Sequence, residues 1–217
     1  MARLRIEAGQ KLVFIGDSNT DTEYRTRAVP YGYGYVMMCH AFLEASHPGM
    51  GLTFVNRGND GDTILDLERR WQSDVLDEQP DWLFVMIGTN DAGYRFLPEY
   101  HDRAVDDATF AATLRTLLAR TREATRARIA LVEPPVFELE VDSEPNCAIG
   151  RLCELLDEVG REYDCESVPV FESMAQALAN GHAEGWFQNV NHPYFPGHAF
   201  IAQQVLRCIG WTFPGGE

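Results

Sequence analysis

The chain has no long apolar segment and few positive charges, and both absences narrow what it can do. No run approaches the ~20 apolar residues that cross a bilayer, and the start of the chain lacks the apolar core of a signal peptide, so the sequence predicts a cytoplasmic protein without a membrane partner. It has 18 Lys and Arg against 33 Asp and Glu, a formal net charge of −15. Phosphates of nucleic acids would be repelled, which excludes them as partners and favours neutral substrates.

Cysteine is also scarce, and its spacing indicates neither a disulfide framework nor a metal centre. There are 5 cysteines, without a CxxC pair or a histidine at metal-ligand spacing. The sequence therefore predicts free, buried thiols and no metal site.

Short apolar runs alternate with longer segments of helical spacing, in a chain of 217 residues that we expect to form one domain, 1–217. Strands are predicted at 12–15, 52–56, 82–87, 129–133 and 167–171. Helices are predicted at 33–46, 62–76, 106–126, 147–163, 172–180 and 196–209. Near-continuous apolar strands between helices are typical of a parallel sheet covered on both faces. The expected fold class is α/β: a three-layer α/β/α sandwich with a five-stranded parallel sheet.

Polar, glycine-bearing turns follow the first three predicted strands, at 16–19, 56–59 and 88–91. Ligands bind at the carboxyl ends of the strands in such sheets, so these turns are expected to converge on one site. The sequence alone allows three interpretations of Ser18, in the first turn: a helix cap, a phosphate-loop hydroxyl or a nucleophile.

Four sequence blocks resemble the SGNH subgroup of the GDSL esterases. They are "FIGDSNTD" (14–21), "VNRGNDGDTILDLERRW" (55–71), "MIGTNDAGYR" (86–95) and "HPYFPGHAFIA" (192–202). The resemblance spans nearly the whole chain and, through "GYGYV" (32–36), is nearest to bacterial carbohydrate acetylesterases of the xylan type. It implies a serine ester hydrolase with a flavodoxin-like fold and no cofactor. Such an enzyme would remove acetyl groups from a carbohydrate or related small ester.

The resemblance also implies roles for individual residues. Ser18 would be the nucleophile and His192 its general base. The oxyanion hole would consist of the backbone N–H groups of Ser18 and Gly58 together with the side-chain amide of Asn90. Candidate substrate contacts near these blocks are Asp17, Asn19, Tyr94, Trp186, Phe187 and Tyr194, although aromatic packing beneath the sheet edge explains the rings equally well.

The chain departs from the family at two positions. Asn189 stands where the family carries the aspartate that holds the histidine, and an amide cannot stabilise an imidazolium by charge. A backbone carbonyl or Glu184 is a candidate substitute. Asn19 replaces a branched aliphatic residue after the nucleophile and needs buried hydrogen-bond partners.

Three functional hypotheses remain open from the sequence. The first is the ester hydrolase, and the second is a degenerate relative that binds a glycan or small ligand with little turnover because of Asn189. The third is a flavodoxin-type phosphate or flavin binder, which Asp17, Asp21 and Glu23 disfavour by repelling phosphate. The aromatic content and the resemblance also favour a homo-oligomer.

Overall fold

Five strands form one parallel sheet in the computed structural model, which describes residues 4–27, 30–181, 184–189 and 191–211. The strands are β1 Lys11–Gly16, β2 Thr53–Gly58, β3 Trp82–Met86, β4 Arg128–Val132 and β5 Glu166–Val168, in the order β2-β1-β3-β4-β5. The predicted five-stranded parallel sheet is confirmed. Its order reverses at β1, which opens a crevice at the carboxyl ends of β1 and its neighbours.

Helices cover both faces of this sheet. They are α1 Ser18–Asp21, α2 Tyr35–Ser46, α3 Ile64–Trp71, α4 Thr89–Gly93, α5 Asp107–Ala124, α6 Glu144–Glu162, α7 Val170–Ala179 and α8 Phe195–Cys208. Alternate residues of β1 enter two separate cores, Val13 and Ile15 on one side, Leu12 and Phe14 on the other. The first core packs on α3, α5 and α6, the second on α2, α7 and α8, so the three-layer arrangement is confirmed.

Most predicted elements end within three residues of the observed ones, and two of the differences have a clear physical cause. The strand predicted at 167–171 stops at Val168, because Pro169 has no N–H to continue a sheet ladder, and α7 begins at Val170. The helix predicted at 62–76 starts at Ile64 behind a capping box of Thr63 and Asp66. After Trp71 it widens into a π-turn, Gln72–Leu76.

Short elements near the carboxyl edge were not predicted. They are the single-turn helices α1 and α4, the 3₁₀ turns Tyr94–Phe96, Pro98–Arg103 and Glu184–Trp186, and a hairpin of β6 Phe187–Asn189 with β7 His192–Pro193. In the ranges described, none of the helices is long and apolar enough to pass through a bilayer.

Candidate active site

Ser18 begins α1 directly after β1. Asp17 caps this turn, its carboxylate accepting a hydrogen bond from the N–H of Asn19 at 2.9 Å. Gly16 lets the end of β1 approach β3, because a Cβ there would overlap the carbonyl oxygen of Met86. The close strand ends and the short helix hold the Ser18 hydroxyl at the crevice, half-buried.

His192 reaches Ser18 from the other end of the chain. Ser18 Oγ lies 3.0 Å from His192 Nε2, within hydrogen-bond distance as expected for a nucleophile and its base. The β6–β7 hairpin sets the imidazole, and Asn191 at φ +61° donates its N–H to the carbonyl of Phe137 at 2.6 Å. The hairpin thus places His192 on the same sheet edge as β1.

Asn189 occupies the position beside His192 that the family resemblance assigns to an aspartate. The two residues pair across the hairpin, and Asn189 Oδ1 lies 2.9 Å from His192 Nδ1. An amide oxygen is an acceptor, so Nδ1 carries the proton and Nε2 keeps a lone pair for the Ser18 hydroxyl. Asn189 therefore fixes the tautomer that base catalysis needs, without supplying a charge.

The protonation state of His192 also suits a base. Burial lowers the pKa of His192 from its ordinary value of 6.5, opposed by the negative charge of Asp60. The imidazole is therefore neutral at pH 7 and able to accept a proton. The side chain of Glu184, the other carboxylate considered as an orienting group, lies outside the described residues.

A cavity of about 460 Å³ opens beside the Ser18–His192 pair. Its lining residues are Ser18, Asn19, Asp21, Thr22, Glu23, Arg25, Thr26, Tyr33, Asn59, Asp60, Gln188, Asn189, His192, Pro193 and His198. Tyr33 and His198 were not foreseen as site residues. The "GYGYV" and "GHAFIA" segments that contain them were recognised only as family blocks, since the sequence does not show which of their side chains face a cavity.

The aromatic residues predicted from the sequence as substrate contacts are not among the residues that line this cavity. Tyr94 is buried with its hydroxyl donating to the Gly61 carbonyl at 3.1 Å, and the Trp186 ring packs on Phe200 at 4.8 Å. Tyr194 is 47% exposed but packs on Phe195, outside the cavity lining. Phe187, half-buried, packs against the core. These rings make packing contacts, which was the alternative reading of their positions.

Asn90 lies in α4 just past β3, as predicted, and is buried. One hydrogen of its side-chain amide is donated to the carbonyl of Asp62 at 2.9 Å, which leaves the second available to a ligand. The amide is thereby held in one orientation. Asn90 remains the predicted side-chain donor of the oxyanion hole.

The structure corrects the prediction for Gly58. Its N–H donates to Asn56 Oδ1 at 2.8 Å and so is not free for an oxyanion. A Cβ at this position would overlap the backbone nitrogen of Asp21, so the glycine is needed for the contact of β2 with α1. Asn56 completes this contact by donating to the Thr20 carbonyl at 2.7 Å.

Gly61 offers the free N–H that Gly58 lacks. It sits in the turn after β2 at φ +75°, a conformation that favours glycine, and among the described residues its N–H has no acceptor. Tyr94 and Arg103 both donate to its carbonyl, the latter at 2.9 Å, which fixes the turn. The neighbouring Asp62 carbonyl is the group that holds Asn90.

Asp17 and Asn19, predicted as substrate contacts, differ in their surroundings. Asn19 lines the cavity, whereas Asp17 is fully buried beneath it. Asp17 Oδ2 and Asn19 Oδ1 are both buried acceptors without a hydrogen-bond donor in the described structure. Burial raises the pKa of Asp17 to about 7, and a proton on this carboxyl would supply a missing donor.

Replacing Asp17 with asparagine is expected to make stability less dependent on pH. Because the folded pKa of Asp17 is raised from 3.8 to about 7, the unfolded chain loses this proton first, so wild-type stability falls as the pH rises from about 4 and the loss is complete once the pH has passed about 7. The free energy of unfolding of Asp17→Asn, measured relative to wild type, should be about 2 kcal/mol higher at pH 8 than at pH 5. This corresponds to a relative rise of roughly 5 °C in Tm. Thermal unfolding at both pH values measures this. Glu68→Gln, an exposed neutralisation on α3, should show no such gain, and an equal Tm difference at both pH values for Asp17→Asn would contradict the account.

A serine hydroxyl bonded to an imidazole, beside a cavity at the carboxyl edge of a parallel α/β/α sheet, is the arrangement of a serine ester hydrolase. No cluster of three or more potential metal ligands occurs among the residues described. The GDSL-like lipase/acylhydrolase family model matches residues 14–200, and the chain belongs to this family of carboxylic ester hydrolases. That the domain extends over 1–217 stays a prediction.

Known proteins similar to this chain include carbohydrate esterases. An acetylxylan esterase from Geobacillus stearothermophilus is 30% identical over 219 residues, covering 97% of this chain and 98% of that protein. The crystal structure of a catalytic mutant of this esterase has a TM-score of 0.89, covering 98% of this chain and 100% of the other. An alpha/beta hydrolase from the metagenome of Lake Arreo, Spain, is 32% identical with a TM-score of 0.86, covering 96% and 98% of the two chains.

Proposed function

We propose that this protein removes acetyl groups from an acetylated carbohydrate, with Ser18 as nucleophile and His192 as general base. The observation that carries the proposal is the 3.0 Å contact between Ser18 Oγ and His192 Nε2 beside the open cavity. The similarity to an acetylxylan esterase supports the acyl group and the sugar. A cavity of about 460 Å³ has room for an acetyl group and part of the alcohol that bears it.

The reaction runs through an acyl-enzyme. Ser18 Oγ attacks the ester carbonyl carbon while its proton passes to His192 Nε2, and the resulting imidazolium then protonates the departing sugar oxygen as the ester C–O bond breaks. Water, deprotonated by His192, attacks the acetyl-Ser18 ester. Acetate leaves and Ser18 Oγ recovers its proton from the imidazolium, so no co-reactant other than water is consumed.

Three donors are proposed to stabilise the carbonyl oxygen as it becomes negative. They are the N–H of Ser18, the second amide hydrogen of Asn90 and the N–H of Gly61, which takes the place first assigned to Gly58. The N–H groups of Ser18 and Gly61 have no acceptor within the described chain, so both are available for a developing oxyanion.

Asn189 is proposed to orient His192 in place of an aspartate. Catalytic mutants of the Geobacillus esterase change a serine, a histidine and an aspartate, and this aspartate lies three residues before the histidine. Asn189 lies three residues before His192 here. A neutral acceptor that keeps Nδ1 protonated leaves a working base, which favours a competent hydrolase over the degenerate binder.

A panel of esters tests the proposed substrate class. Acetylated xylo-oligosaccharides and an activated acetate should be hydrolysed, and lengthening the acyl chain from acetate to octanoate should lower kcat/KM at least tenfold, because the cavity beside Ser18 also has to hold the sugar. The measurement is acid release by pH-stat at each chain length. Ser18→Ala serves as the inactive control. Equal or higher kcat/KM with octanoate would contradict acetyl selectivity.

A further inference from the structure

Asn189 is neutral and leaves the His192 imidazolium without a partner of opposite charge in the hairpin, but the turn after β2 carries a carboxylate that lines the same cavity. We propose that Asp60 supplies the opposite charge: Asn189 orients the ring, and Asp60, which lines the same cavity as His192, stabilises its charged form. Two residues thereby share the work of one carboxylate. The inference rests on the proposed function, because it assumes that His192 becomes protonated during turnover.

The charged and titratable groups around the cavity single out Asp60. Those that share the cavity with His192 are Asp21 and Glu23 after β1, Arg25 beside them, Tyr33 before α2, Asp60 after β2 and His198 on α8. Burial raises the pKa of Tyr33 above its ordinary value of 10, so its hydroxyl carries no charge. Glu23 is paired with Arg27 at 3.4 Å, and Arg25 acts on Asp21, lowering its pKa against the effect of burial. The carboxylate of Asp60 has neither an ion pair nor a hydrogen bond in the described ranges.

The second histidine of the cavity, His198, carries no positive charge that would oppose the protonation of His192. Burial lowers the pKa of His198 to about 4, so this histidine is neutral when the enzyme works. Its buried Nδ1 has no hydrogen-bond partner among the residues the structure describes, and the neutral ring adds no positive charge to the cavity. Of the carboxylates described in the cavity lining, Asp60 is therefore the one without a partner, and it raises the pKa of His192 against the effect of burial.

An exposed carboxylate acts on an imidazole through space and through water. Its attraction favours imidazolium over neutral imidazole, which stabilises both the transition state of proton transfer and the ion pair that follows it. Because Asp60 is exposed, dissolved salt screens this attraction. An orienting hydrogen bond such as that from Asn189 is much less sensitive to salt, so the two contributions can be separated.

Asp60→Asn tests the proposal through the pH profile of acetate ester hydrolysis. Loss of the charge should lower the His192 pKa, so the acidic limb of kcat/KM should move down by about 0.3–0.5 pH unit, and kcat on the plateau should fall about two- to threefold, the same loss of imidazolium stability expressed as a rate. Both changes should shrink in 1 M salt, where the screening length is about 3 Å. Glu68→Gln removes an equal charge outside the cavity and should leave the limb and the plateau unchanged.

A double variant distinguishes electrostatic support from a structural role. In an Asn189→Asp background the hairpin itself supplies a charge, so adding Asp60→Asn should cost less than half of its fold-loss in the wild type. An unmoved acidic limb, or a loss of the same size in both backgrounds and at both salt concentrations, would overturn the proposal. Full activity of Ser18→Ala would instead remove the proposed function itself.

Discussion

Truncating Asn90 to alanine is expected to lower kcat for an acetate ester by about 10²–10³ while KM changes little. The amide is buried and fixed by its bond to the Asp62 carbonyl, so its second hydrogen is in place before charge develops on the ester oxygen. A donor of this kind acts mainly on the transition state, and its removal typically costs about 3–4 kcal/mol. Steady-state kinetics over a range of ester concentrations separates kcat from KM.

The same experiment needs a check on folding. Asn90→Ala also removes the bond to Asp62, so thermal unfolding and circular dichroism should accompany the kinetics. Asn180→Ala, an exposed asparagine at the end of α7, is the matched control and should retain wild-type kcat. If a folded Asn90→Ala protein kept wild-type kcat, Asn90 would not belong to the oxyanion hole.

Changing Asn189 to aspartate is expected to raise turnover at least tenfold. The side chain already accepts from His192 Nδ1, so Asn189→Asp keeps the orientation of the ring and adds a negative charge 2.9 Å from it. That charge should raise the His192 pKa and stabilise the imidazolium formed during acyl transfer. Turnover of an activated acetate ester above pH 7, where the base is unprotonated in both proteins, measures the gain.

Two further variants test whether the higher turnover of Asn189→Asp comes from the added charge beside His192. The double variant Ser18→Ala/Asn189→Asp should lose it entirely, because the charge acts through the serine pathway. Asn180→Asp adds an equal charge far from His192 and should not change the rate. A rate in Asn189→Asp equal to or below wild type would mean that other groups, Asp60 among them, already supply the charge the imidazolium needs.

Much of the fold can be predicted from the sequence because buried strands and helices carry apolar residues in regular patterns. Runs such as "WLFVMI" are apolar throughout since the central strands are covered on both faces, and Val85 and Phe84 indeed enter opposite cores. The short elements at the carboxyl edge have no such apolar pattern. The helices α1 and α4 and the β6–β7 hairpin are polar, and are held by tertiary contacts such as that of Asn191 with Phe137.

The candidate site divides in the same way. Residue types and their places after strands were enough to bring Ser18 and Asn90 to one edge, because the carboxyl ends of parallel strands meet there, whereas His192 was assigned through the family resemblance. They were not enough to tell Gly58 from Gly61, three residues apart in one glycine-bearing turn. That difference depends on which N–H already has an acceptor, and the acceptor, Asn56 Oδ1, is positioned by the register of β2.

The sequence by itself determined the α/β class, the parallel sheet and the four blocks that mark a GDSL-family hydrolase, because these depend on local periodicity and on residue types at strand ends. Only the tertiary structure decided that Asn189 accepts from His192, that the Tyr94 hydroxyl bonds a turn instead of facing the cavity, and that Asp60 lines the same cavity as His192. These relations join residues far apart in the chain. Hydrogen bonds and charges act over a few ångströms of space, and the order of residues does not encode those distances.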